Sequence, residues 1–113
     1  MLKHEISRRG DVLVLRVQEE NLDAITVSSE GRSLVDQVVD QQTTKVVVDI
    51  SGVKTIDSSG VAVIVSLFKR LRAVGGGVRV AGLQGQPKEI FHFLRLDQAL
   101  PIFASVDDAA KNF

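Results

Sequence analysis

The segment Val46-Val-Val-Asp-Ile-Ser-Gly-Val-Lys-Thr-Ile-Asp-Ser-Ser-Gly60 constrains this chain most, because it leads a buried strand through a short loop into a helix. Val46, Val47, Val48 and Ile50 form a short β-branched run, the pattern of a strand covered on both faces of a sheet. Asp57 stands where a helix N-cap belongs, since its carboxylate can accept backbone N–H groups left unpaired at a helix start. Ser58 and Ser59 follow in the first turn. Beyond them Val61, Ile64, Val65, Phe68 and Leu71 recur at three- and four-residue spacing, with Lys69, Arg70 and Arg72 on the far side. That is one apolar stripe, and it predicts a helix over 58–74. Gly75, Gly76 and Gly77 supply the turning positions that end it.

A strand over 77–81 completes a βαβ unit with strand 45–50 and the helix, which makes the two strands parallel and the crossover right-handed. In open α/β sheets the working loops lie beyond the carboxyl ends of the strands. Residues 51–57 fall at that edge, so Ser58 is expected at a surface rim.

The remaining elements follow from periodicity and turn residues. Residues 3–8 and 11–17 read as two strands reversing at Arg9-Gly10-Asp11. Asn21 to Ala24 reads as a polar turn, and Val27, Leu34, Val35, Val38 and Val39 predict an amphipathic helix from about 26 to 41. Gly31 is that helix's weak point. Pro87 suits the first turn of another helix, which carries Ile90, Phe91, Phe93, Leu94 and Leu96. Leu100 to Phe103 reads as a short edge strand, and Ser105 as the cap of a last helix over Val106 to Lys111. The expected class is α/β: a mixed sheet of four to five strands with an N-terminal hairpin and about four helices, in one domain over 1–113.

Composition narrows the function. With 113 residues the chain suits a single core. Its 44% hydrophobic and 25% charged residues are ordinary globular values, so an ordered body is expected. Lys plus Arg and Asp plus Glu are 14 each, so no global field draws in nucleic acid or anionic lipid. The absence of Trp and Tyr removes the stacking platforms of single-strand binders. No apolar run has the length of a membrane span, and the first residues lack a signal-peptide profile. A cytoplasmic protein with protein partners or small ligands is the expectation. Zero cysteines exclude disulfides and thiolate metal sites, and two histidines are too few for zinc; no cofactor is expected.

Ile56-Asp57-Ser58-Ser59-Gly60-Val61, set between a valine-rich strand and an apolar helix, resembles the signature of STAS domains, specifically the bacterial anti-sigma-factor antagonists. Asn21-Leu22-Asp23-Ala24 resembles the family's Leu-Asp turn after the first hairpin, and Gly75-Gly76-Gly77-Val78-Arg79-Val80 its Gly-Gly-then-strand step. The resemblance covers nearly the whole chain. It implies the STAS fold and a protein that is a switch with no catalysis of its own. Ser58 would be phosphorylated by an anti-sigma factor that is itself a serine kinase. The unmodified protein would bind that kinase and free a sigma factor, and a phosphatase would restore the bound state.

The resemblance also assigns Asp23 to the serine face and matches Val61 and Ile90 to apolar positions flanking it. With Asp57, Ser58, Ser59 and Gly60 these make the expected partner-binding set. At Val61-Ala62-Val63 the chain carries valine where close relatives more often have Leu-Gly. The free protein is expected to be a monomer.

Plain structural readings stand beside these roles. Small hydroxyls suit any helix start, Asp23 can bond its own backbone in a turn, and Gly60 serves helix packing or a partner's close approach. A serine hydrolase needs a base beside a strained nucleophile elbow. Residues 56–60 do not spell Gly-x-Ser-x-Gly, and His4 and His92 fall on an edge strand and among phenylalanines. No Gly-x-x-x-x-Gly-Lys-Ser/Thr loop follows a strand. A phosphoryl-receiver domain needs an acidic pair after its first strand, whereas Asp107-Asp108 lies in the terminal helix. Within the family, the alternatives are a constitutive interaction module of a stressosome-like or lipid-transport complex, and a nucleotide-binding STAS domain.

Overall fold

The computed structural model of the chain describes residues 2–113. Strand and helix follow in the order β1 (His4–Arg9), β2 (Val12–Val17), β3 (Asn21–Leu22), α1 (Ala24–Val27), α2 (Glu30–Val39), β4 (Lys45–Asp49), β5 (Thr55–Ile56), α3 (Ser58–Arg72), β6 (Gly77–Ala81), α4 (Gly85–Phe93), β7 (Ile102–Phe103) and α5 (Val106–Ala110), with a 3-10 turn at Leu96–Gln98. The main sheet has the strand order β1-β2-β4-β6-β7. Only the β1–β2 hairpin is antiparallel, and each later pair is parallel. The result is the expected mixed α/β sheet with an N-terminal hairpin.

The valine run lies at its centre. Val46, Val47 and Val48 are 0%, 0% and 1% exposed, because successive residues of a strand face opposite sides and both sides are covered. Leu13, Leu15, Val46, Val48, Val78 and Val80 join the larger core with side chains of α2, α3 and α4. Val12, Val14, Val47 and Ala81 face the other way and meet Ala109 of α5, with Phe103 and Phe113 packed alongside. Arg79 fastens that layer. Its guanidinium lies over the rings of Phe113 and Phe103, at 4.3 and 5.2 Å from their centroids. It also donates to the carbonyls of Ala109, Lys111 and Asn112 at 3.1, 2.8 and 3.1 Å.

Two sequence expectations are corrected. The single helix expected over 26–41 is two, α1 and α2, separated at Ser28, whose φ of 43° leaves the helical region; this raises the helices from about four to five. Gly31 permits the tight junction that results: a Cβ there would stand 2.7 Å from Val27 Cγ1 and 2.8 Å from Val63 Cγ2. The glycine is a packing requirement where α2 meets α1 and α3. Secondly, the polar turn expected at 21–24 contains β3, which pairs in parallel with β5 as a separate two-stranded sheet. Among the described residues no helix is long and apolar enough to cross a membrane.

Candidate functional site: two aspartate-capped helix starts

The small sheet sets Asn21 opposite Thr55 and Leu22 opposite Ile56. The next residue on each strand is therefore an aspartate, Asp23 on one and Asp57 on the other, and each caps the helix that follows. Asp23 Oδ1 accepts from the Thr26 N–H at 3.0 Å, while Thr26 Oγ1 accepts from the Asp23 N–H at 3.0 Å. This reciprocal pairing is a capping box with threonine in the distal place. The plain reading of Asp23, a carboxylate bonding its own backbone, is thus realised, and the β3–β5 pairing sets it level with Asp57.

Asp57 links the two starts. Its Oδ1 accepts from the Ser59 and Gly60 N–H groups at 2.8 and 3.3 Å. Its Oδ2 accepts from the Ala24 N–H at 3.3 Å, the first residue of α1. The Asp57 N–H in turn donates to Leu22 O at 3.3 Å. One carboxylate therefore satisfies donors at both helix starts, a tertiary role beyond simple capping.

Gly60 is buried beneath this junction. A Cβ at that position would lie 2.4 Å from Leu22 O and 2.8 Å from both Ile56 Cγ1 and Leu22 Cγ. The close approach it permits is to this chain's own β3. Ser58 is exposed, as its place beyond the sheet's carboxyl edge requires, while Ser59 is half-buried. Among the described residues nothing bonds the Ser58 hydroxyl.

The remaining candidates sit apart from the rim's surface. Val61 is 8% exposed and belongs to the core, and Ile90 is half-buried against it. An exposed apolar side chain next to the rim is Ile25, 86% exposed in α1, which the sequence reading leaves between the polar turn at 21–24 and a helix from about 26. Gln86 is a second residue that sequence reasoning missed. Its Oε1 accepts from the Ile56 N–H at 2.8 Å and its Nε2 donates to Ile56 O at 3.0 Å, so a side chain from α4 occupies the open edge of β5. No local pattern signals such a contact, because the partner lies thirty positions away.

Neither histidine bonds Ser58. His4 Nδ1 lies 2.9 Å from Leu2 O, and His92 Nδ1 lies 3.1 Å from Asp97 Oδ2. Among the described residues no group of three or more His, Cys, Asp or Glu side chains is placed to hold a metal. The rim thus presents an unbonded hydroxyl, two carboxylates engaged in capping and, in α1, an exposed isoleucine.

The comparisons agree with this architecture. An anti-sigma factor antagonist from Mycobacterium paratuberculosis is similar with a TM-score of 0.84 and 21% identity, over 96% of this chain and 91% of that one. An anti-sigma-factor antagonist (STAS) domain protein from Planctomyces limnophilus superposes with a TM-score of 0.83 at 17% identity, over 94% and 93%. The Bacillus cell fate determinant SpoIIAA in its phosphorylated form gives 0.71 at 18% identity, over 95% and 96%. The STAS domain family model matches residues 3–109, and with this strand order and these paired helix starts the chain belongs to the STAS domain family.

Proposed function

We propose that this protein is an anti-sigma-factor antagonist that binds an anti-sigma factor with serine kinase activity when Ser58 is free, and releases it when Ser58 is phosphorylated. The observation that carries the reading is the exposed, unbonded Ser58 hydroxyl at the first position of α3, directly after its cap. Its folds of reference are anti-sigma factor antagonists, one of them solved in a phosphorylated form. The protein is a substrate and a switch with no catalysis of its own. Asp23, Asp57, Ser59 and Gly60 shape the contact rim, Val61 and Ile90 support it from within, and a phosphatase resets it in the cytoplasm.

The physical effect of the modification follows from the rim. A phosphoryl group adds roughly −1.5 to −2 charges and three acceptor oxygens. A helix start ordinarily welcomes an anion, yet here the Ser59 and Gly60 N–H groups are already held by Asp57. The phosphate gains little from the helix and meets the Asp57 carboxylate beside it. Its consequence is a new charge on a surface fitted to a neutral serine, where an unpaired charge buried at an interface costs a few kcal/mol. The fold stays intact.

The test is intact-mass spectrometry with fragmentation after incubation with ATP and the genome-encoded candidate kinase. A single gain of about 80 Da, one phosphoryl group, at Ser58 is expected. No gain, under conditions that modify a control substrate, would replace the switch with a constitutive interaction module.

A further inference from the structure

We infer that the groove between α2 and α3 is the seat of an acidic amphipathic helix of the protein partner. The groove encloses about 650 Å³ and begins beside the switch, at Ser59 and Ser28. A shallower depression of about 540 Å³ continues it along α3 and shares Ala62, Ser66 and Arg70 with it. From Ser59 to Ala73 the lining covers about 21 Å of helix axis at 1.5 Å per residue, the length of roughly four helical turns.

Three features select the occupant. The walls are helices whose backbone groups are internally bonded, so an added strand finds no edge and a helix laid along the ridges is the packing that fits. The floor is apolar and low: Val35 and Val63 lie beneath, and the small, exposed Ala62 and Ser66 leave room for a third backbone to come near. Finally, the charge is of one sign. Arg32, Lys69 and Arg70 line the two depressions and no carboxylate does, in a chain whose charges balance at 14 and 14. Arg70 is held by Asp36 at 2.8 Å, while Arg32 and Lys69 have no ion partner among the described residues. These two are left to meet carboxylates from outside, and opposite charge at an interface sets register and partner choice.

The inference deepens the proposed function and rests on it only for the partner's identity. It also supplies a reason for the switch to work, since a phosphoryl group on Ser58 would put negative charge next to the end of a groove that receives an acidic segment.

The test needs no native partner. The ¹⁵N-labelled full chain is titrated, by amide chemical shifts, with a stapled helical peptide bearing Ala and Leu on one face and Glu along both flanks. The same peptide with Lys for Glu is the control. The Glu peptide is expected to bind with a Kd below about 1 mM, a threshold of about −4 kcal/mol, shifting Gly31, Arg32, Ala62 and Ser66. The Arg32→Glu/Lys69→Glu variant, changed only at exposed positions, should lose at least tenfold in affinity for it and gain affinity for the Lys peptide. Equal binding of both peptides would overturn the inference. So would shifts confined to other elements, no shifts at millimolar peptide, or binding only to vesicles of anionic lipid. The mass-spectrometric test of Ser58 is independent of every one of these outcomes.

Discussion

Ser58 and Gly60 occupy the same turn and make opposite demands on it. The Ser58 hydroxyl is exposed and has no partner among the described residues, so its substitutions should act on binding alone: under the proposed function Ser58→Ala is expected to hold the proposed kinase partner persistently and Ser58→Asp to bind it at least tenfold more weakly. Isothermal titration against the partner distinguishes them, and equal affinities would count against the switch. Gly60 should act on stability instead. Because the first atom a new Cβ meets is a backbone carbonyl at 2.4 Å, the clash cannot be relieved by rotating a side chain. Gly60→Ala is expected to cost about 1–3 kcal/mol, the usual range for overpacking, read as a lowered urea midpoint; an unchanged midpoint would mean that β3 can retreat freely. At this scale the sequence was informative where chemistry is local. A cap aspartate before two serines announces its own role. The bond from Asp57 to Ala24 was invisible, because it depends on two segments thirty-three positions apart being brought together.

Among the elements, legibility followed length. β4 and α3 carry a full run of apolar residues and were placed within a residue or two. β3 and β5 are two residues each, too short for alternation to register, and the polar character of Asn21 and Thr55 reads as loop. The break between α1 and α2 escaped for another reason: Val27 and the later valines share one helical spacing although they belong to different axes. The terminal helix α5 is five residues long, below the length at which a helix persists unaided. Arg79 ties down its end, donating to the carbonyl of Ala109 in α5 and to those of Lys111 and Asn112 just beyond it, while its guanidinium lies over the ring of Phe113. Arg79→Ala should therefore release α5 first, seen as faster amide exchange over residues 106–111 while β4 keeps its protection. Loss of protection in β4 to the same degree would show that this layer does not open separately.

For the whole molecule, balanced charge makes pH and salt minor levers near neutrality, and the acid range is where an ion pair becomes visible. The Lys45 ammonium, 2.8 Å from Asp11 Oδ2, lowers the Asp11 carboxyl below its ordinary 3.8. A depressed carboxylate contributes stability that is present above the unfolded value and lost as pH falls through the folded one. Asp11→Asn should accordingly narrow the urea-midpoint difference from the natural chain as pH drops below 3.8, and the gap at neutral pH should shrink in high salt because the pair is exposed. A constant gap across the acid range would assign the effect of the substitution to something other than this pair. The tie between the paired strands has an implication for how such a chain can vary in length. Leu22 faces Ile56 in register, so the two capped helix starts are counted from one shared rung. An insertion upstream of that rung and of the Glu20 carbonyl that accepts from the Lys54 and Thr55 N–H groups, beside Glu19 or the exposed Gly52, is absorbed by loop. One placed between the rung and either aspartate slides a single helix start past the other and parts Ala24 from Asp57. Viable length changes should therefore fall on the upstream side of the pairing, and a library of single-residue insertions scored for soluble expression would map that boundary to the residue.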